Sequence, residues 1–144
     1  MGIFKKYDVA LILFLLVIPI KGFSQFSAGD GTENAPYQIS NAAQLDSTRY
    51  FLEDHFILTE DIDLDVAPFN TGEGWEPIGF LGENSIRFGG SFDGNGYTIS
   101  GLYINKPNSR SVGLFGYTSS ASFTKVVLLN INVIGNEHVG GLVG

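Results

Sequence analysis

Glu60, Asp61, Asp63 and Asp65 form the densest acidic run in the sequence, and the alternation of the last three gives the run its chemical interest. If Asp61, Asp63 and Asp65 all project from one side of an extended strand, successive carboxylates lie about 6.6–7 Å apart. That is close enough to attract a hard cation such as calcium with help from carbonyl oxygens. The alternative is a solvated strand face whose charges discourage edge pairing. Trp75, the only Trp, is flanked by Glu73 and Glu76. An exposed indole beside carboxylates could stack on a sugar ring and hydrogen-bond its hydroxyls; the competing arrangement folds Trp75, Pro77 and Ile78 back over the core. Tyr97 and Tyr103 carry the same two readings.

Other chemistries find little support. His55 and His138 are the only histidines, beside Asp54 and Glu137, with no nucleophile elbow nearby. The segment DGNGYTISGLYI begins like a calcium-binding EF-hand loop but places Tyr97 and Ile104 where oxygen ligands are required. Zero cysteine removes thiol catalysis, Cys-ligated metal and disulfides. No catalytic residue is assigned. The competing enzymatic reading is a lyase or hydrolase acting on acidic polysaccharide, which needs paired carboxylates and a cation to hold the substrate. Arg87, Lys106, Arg110 and Lys125 are its only cationic candidates.

The elements that would position these side chains are short strands. The chain has 19 Gly placed beside Ile, Val, Leu and Phe in short apolar runs, a mixture that suits neither a disordered linker nor a helical bundle. One helix is expected over about residues 42–53, with Asn41 as N-cap, Gln44 at capping-box spacing, and Ala42, Leu45 and Leu52 on one face. Beyond it the pattern is strand and turn, with Asn95-Gly96 the strongest turn signal.

Three segments align as repeats: DIDLD (61–65), GLYIN (101–105) and NINVI (130–134). Ile62 and Leu64, Leu102 and Ile104, and Ile131 and Val133 are then inward pairs, and Asp63, Tyr103 and Asn132 point out. The hexamer ending at Gly116 recurs 28 residues later at Gly144. A period near 28 with one β pattern and no intervening helix predicts an all-β fold, a right-handed parallel β-helix (solenoid) with a short N-terminal capping helix. The segment VAPFNTGEGWEPIGFLGENS reads as a surface excursion. Residues 25–54 form the cap and residues 55–144 the coils, the last incomplete and exposing an apolar edge through which copies could self-associate. The outward row of Asp63, Tyr103 and Asn132 is the expected binding face, with Trp75 beside it.

Residues 1–24 read as a secretory signal: Lys5 and Lys6, an apolar run from Val9 to Ile20, then Gly22-Phe23-Ser24. The run is about 18 Å long as a helix, short of a bilayer core, so no permanent membrane span is expected. Net charge is −7, more negative once the leader is removed, which disfavours nucleic acid and anionic membranes as partners.

Gly113-Leu114-Phe115-Gly116 and Gly141-Leu142-Val143-Gly144 resemble the GLUG motif of bacterial surface proteins, adhesin-like proteins and some immunoglobulin-A-specific metallopeptidases. GWEPIG and FGGSFDGNGYTISGLYI are similar to the unit that precedes the first such repeat, and FSAGDGTENAPYQISNAAQL to its N-terminal cap. The resemblance implies an exported β-helical repeat protein, secreted or at the cell surface, non-enzymatic, meeting a glycan or a protein partner. It implies no cofactor. It also implies that the chain is the N-terminal part of a longer repeat protein.

Overall fold

The computed structural model describes residues 25–144, so the expected leader lies outside the described residues. The chain is mostly short strands. In order they are β1 (Tyr37–Ile39), β2 (His55–Leu58), β3 (Ile62–Asp63), β4 (Ser91–Asp93), β5 (Thr98–Ser100), β6 (Tyr103–Asn105), β7 (Arg110–Val112), β8 (Ser122–Thr124), β9 (Val127–Leu129), β10 (Asn132–Ile134) and β11 (Glu137–Val139). Between β1 and β2 lie the helix α1 (Ala42–Ser47) and a single 3-10 turn, Thr48–Tyr50.

Every ladder between these strands is parallel. Parallel neighbours cannot be joined by a tight hairpin, so the chain visits the other sheets before returning beside itself. The sheets are ordered β1-β2-β4-β8, β3-β5-β9, β6-β10 and β7-β11. Ser91 lies opposite Ser122, Ile99 opposite Leu128, Ile104 opposite Val133 and Val112 opposite Val139. One tier of four strands therefore repeats after 27 to 31 residues.

Alternation along each strand sends one side chain to the interior, and parallel register stacks like on like. Tyr37, Phe56, Phe92 and Phe123 occupy consecutive rungs of the first sheet. Ile62, Ile99 and Leu128 do so in the second. Between the columns Phe115 touches Phe88, Phe92 and Phe123 with ring centroids 4.8, 5.5 and 4.9 Å apart, contacts worth about 0.5–1.5 kcal/mol each beyond area burial.

The N-terminal side of the stack is covered. Asn41 caps α1 by accepting from Gln44 N at 3.0 Å, and Gln44 Oε1 accepts from Ser40 N at 2.8 Å. Ala42 and Leu45 are buried. The helix stops short of residue 53 because the buried Thr48 hydroxyl donates to Leu45 O at 2.8 Å and the chain tightens into the 3-10 turn. Residues 27 and 28 close the outer edge of β1, through Ser27 N to Gln38 O at 2.9 Å and Gln38 N to Ala28 O at 2.8 Å.

Three expectations need correction. Ile62 stands opposite Ile99, not Leu102. Gly101 has φ 73 and turns a corner there, so Ile99 and Leu102, three apart, both point inward on adjacent sheets; the aligned segments belong to two different sheets. The long segment between β3 and β4 is not wholly a surface excursion, because Ile78 bridges to Phe115, Phe88 bridges to Thr118, and both Ile78 and Phe88 are fully buried. Ile131 is 44% exposed although Val133 packs against the core.

Candidate functional site

The alternation that buries Ile62, Leu102 and Ile104 leaves Asp63, Tyr103 and Asn132 on the outside. Tyr103 and Asn132 are register partners on β6 and β10, and Asp63 is the partner of Ser100 on β5. The corner at Gly101 brings the two sheets into one concave face. A cleft of about 440 Å³ opens there, to which the first tier contributes Asp63, Asp65 and Asn70, the middle tier Ser100 and Tyr103, and the last tier Asn130 and Asn132.

Hydrogen bonds fix the acidic wall of this cleft. Asp63 Oδ1 accepts from Asp65 N at 2.8 Å, and Asp65 Oδ1 accepts from Asn70 Nδ2 at 3.1 Å. The carboxylate therefore dictates which way the Asn70 amide faces. Its other end, Oδ1, is buried without a hydrogen-bond donor among the described residues. An unsatisfied buried acceptor costs about 1–3 kcal/mol. No Lys, Arg or His lines the cleft among the described residues. Two carboxylates and three amides favour hydrogen-bond donors and disfavour anions.

Trp75 is not part of this face. It is fully buried, its Nε1 donates to Leu114 O at 3.0 Å, Phe69 lies 5.3 Å away and the Arg49 guanidinium sits 5.6 Å from the ring centroid. Folding back over the core leaves no ring face for a sugar. The calcium set is also corrected. Asp61 Oδ1 accepts from Thr98 N at 2.8 Å and lies outside the cleft. Asp63 and Asp65 are engaged as described, and among the described residues no three acidic or histidine side chains converge on a metal position. Each of the three carboxylates has one oxygen engaged by a backbone or amide donor.

The repeat tetrapeptides are structural. Leu114 and Phe115 are buried, Phe115 bridges to Val143 of the next tier, and a Cβ on Gly116 would sit 2.5 Å from Gly79 O and 2.6 Å from Ser111 O. Leu142 and Val143 pack against the core from one side. Elsewhere His55 Nδ1 meets Ser91 Oγ at 2.7 Å on the next rung, but no carboxylate orients the ring among the described residues, so the pair lacks the third member of a nucleophilic triad. Three of the four cationic candidates are paired with carboxylates: Lys106 with Glu73 and Glu76 at 2.7 and 2.8 Å, Arg110 with Glu137 at 3.0 Å and Arg87 with Glu53 at 3.5 Å.

Asn70, Ser100 and Asn130 are members of the cleft that the sequence did not single out. Asn70 comes from an irregular loop, where no periodicity marks a side chain's direction.

No protein-family model matches the chain, and no solved structure matches it. It is 41% identical over 123 residues to a Gly-rich membrane protein of Evansella cellulosilytica, an alignment covering 84% of this chain and 14% of that protein. It is 37% identical over 123 residues to halomucin of Haloquadratum walsbyi, covering 81% of this chain and 1% of halomucin. The chain thus spans a small part of the curated relatives it matches. No described helix is long and apolar enough to cross a membrane.

Proposed function

We propose that the chain is an exported, non-enzymatic module of the cell surface that binds a neutral glycan, or a protein surface rich in hydroxyl and N–H donors, in the cleft of Asp63, Tyr103 and Asn132. The observation that carries this reading is the convergence of those three outward residues, one from each tier, beside the unpartnered Asn70 carbonyl. The parallel tiers are read as coils of a right-handed β-helix, the hand that crossovers between parallel strands adopt, and the glycine tetrapeptides as GLUG-type repeats. The names of the two relatives, a membrane protein and halomucin, support a surface location, and their far greater length supports a role within longer repeat proteins. An anionic cleft with no cation in its lining weighs against the alternative of an acidic-polysaccharide enzyme.

The test is a glycan array of neutral and acidic oligosaccharides, probed with and without calcium, followed by calorimetry. Neutral oligosaccharides should bind, and Asp63→Ala or Asn132→Ala should weaken them about tenfold or more, the equivalent of roughly 1.4 kcal/mol. Both side chains are exposed, so the fold should tolerate these changes. Binding confined to acidic glycans, or indifferent to both substitutions, would sink the proposal.

A further inference from the structure

Asp63 lines a second hollow besides the cleft. Toward the cap, a depression of about 450 Å³ opens between the start of α1 and the loop that follows β3. Because Asp63 belongs to the lining of both, a ligand seated in the cleft can continue into the depression across one carboxylate. The two hollows differ in character. The cleft is walled largely by carboxylates, amides and hydroxyls, whereas one wall of the depression is apolar: Val66, Ala67 and Pro68, all exposed. That wall is held in place. Phe69 N donates to Val66 O at 2.9 Å, Thr71 N donates to Pro68 O at 3.3 Å, and the Phe69 ring lies 5.3 Å from buried Trp75. The depression is therefore formed before any ligand arrives, as small-molecule sites usually are. Opposite the wall stand three polar side chains. Asp61 and Asp63, two apart on extended chain, share a side. Each has one oxygen engaged, by Thr98 N and Asp65 N, and the other without a partner among the described residues. Asn41 Oδ1 accepts from Gln44 N, which turns the Nδ2 donors away from the helix and leaves them unpaired among the described residues.

We infer that the depression is a subsite for the acetamido group of a neutral glycan, so that the ligand is an N-acetylated sugar chain lying across Asp63. The inference rests on the cleft being the glycan site proposed above, and names the sugar class it takes. An acetamido group carries a methyl, an N–H donor and a carbonyl acceptor on one planar unit. The methyl meets Val66, Ala67 and Pro68, the N–H donates to the free oxygen of Asp61 or Asp63, and the carbonyl accepts from Asn41 Nδ2. A hydroxyl at the same carbon satisfies a carboxylate but leaves the apolar wall in water. An aliphatic side chain of a protein partner does the reverse, covering the wall while desolvating two carboxylates without compensation. A carboxylated or sulfated sugar is repelled by Asp61 and Asp63, since no Lys, Arg or His lines the depression among the described residues.

Calorimetry with a matched pair of neutral trisaccharides tests this: triacetylchitotriose, and cellotriose, which has the same linkage with a hydroxyl in place of each acetamido group. The acetylated sugar should bind about tenfold more tightly, the combined effect of one buried methyl and one hydrogen bond. Val66→Asp sets a charge against the methyl at a side chain 41% exposed. It should bring the two affinities to within about twofold with an unchanged circular dichroism spectrum. Saturation-transfer NMR gives a second readout, in which the acetyl methyl protons should receive the strongest transfer from the parent chain and lose it in Val66→Asp. Neutral glycans that bind through Asn132 without preferring the acetamido group, or with a preference that survives Val66→Asp, would overturn the inference and leave the cleft reading standing. If no neutral glycan binds at all, the glycan reading of the cleft falls together with its subsite.

Discussion

Trp75 Nε1 and the carbonyl of Leu114 are joined by a 3.0 Å hydrogen bond that ties the loop between β3 and β4 to the first glycine tetrapeptide. The same carbonyl accepts from Ile78 N at 3.1 Å, so losing the indole donor leaves it satisfied. Trp75→Phe should cost about 1 kcal/mol, the net worth of one hydrogen bond, and Trp75→Ala about 3–5 kcal/mol through the cavity it leaves. Denaturant midpoints measure both. Equal losses in the two variants would show that the indole N–H, and not the packing, anchors the loop.

Gly116, the last residue of the first tetrapeptide, and Gly141, the first residue of the second, differ in what surrounds them. A Cβ on Gly116 meets two backbone carbonyls, Gly79 O at 2.5 Å and Ser111 O at 2.6 Å, whereas on Gly141 its closest neighbour is the end of the Ile131 side chain at 2.6 Å. Backbone cannot step aside, but Ile131 is partly exposed and can change rotamer. Gly116→Ala should destabilise by about 1–3 kcal/mol or more, and Gly141→Ala by under about 0.5 kcal/mol. Thermal unfolding of the two variants checks the difference.

What could be read from residues alone follows from these contacts. The period-two alternation of DIDLD and GLYIN correctly placed Asp63 and Tyr103 outside, because alternation is local and survives any register. The pairing of Ile62 with Ile99 was hidden, since tier lengths vary and Gly101 resets the alternation at a corner. Trp75 was ambiguous because its burial is decided by Leu114, 39 residues away. The cleft itself depends on Asn70 and Asn130, which only the folded path of the chain brings beside Asp63.

Two ionisable groups give the fold a pH dependence at its extremes. The Thr32 hydroxyl and then the Thr32 amide donate to Asp30 Oδ1 at 2.7 and 3.0 Å and hold its carboxyl below the ordinary 3.8. A depressed carboxyl contributes stability above its unfolded value and loses it as pH falls through the lower folded one. Thr32→Val should therefore move the Asp30 titration upward, read by NMR.

Lys106 behaves oppositely. Burial lowers it, but the hydrogen bonds and charges of Glu73 and Glu76 outweigh that and hold the ammonium above 10.5. Its contribution is present below 10.5 and lost as pH rises through the raised folded value. Because both glutamates are largely exposed, Lys106→Met should cost only about 0–1 kcal/mol at neutral pH. The difference between variant and parent should vanish in strong alkali, as melting curves across that range would show.

Phe92 and Phe123 share one interior column, but Phe92 is fully buried between Phe56 and Phe123, while among the described residues Phe123 has a rung on one side only. Phe92→Ala removes contacts above and below and should cost about 3–5 kcal/mol. Phe123→Ala removes a ring already part-way into water and should cost about 1–2 kcal/mol. Chemical denaturation of the two variants at low concentration measures the gradient. If the two losses are the same, Phe123 is as well packed as Phe92, and the gradient along the column is absent.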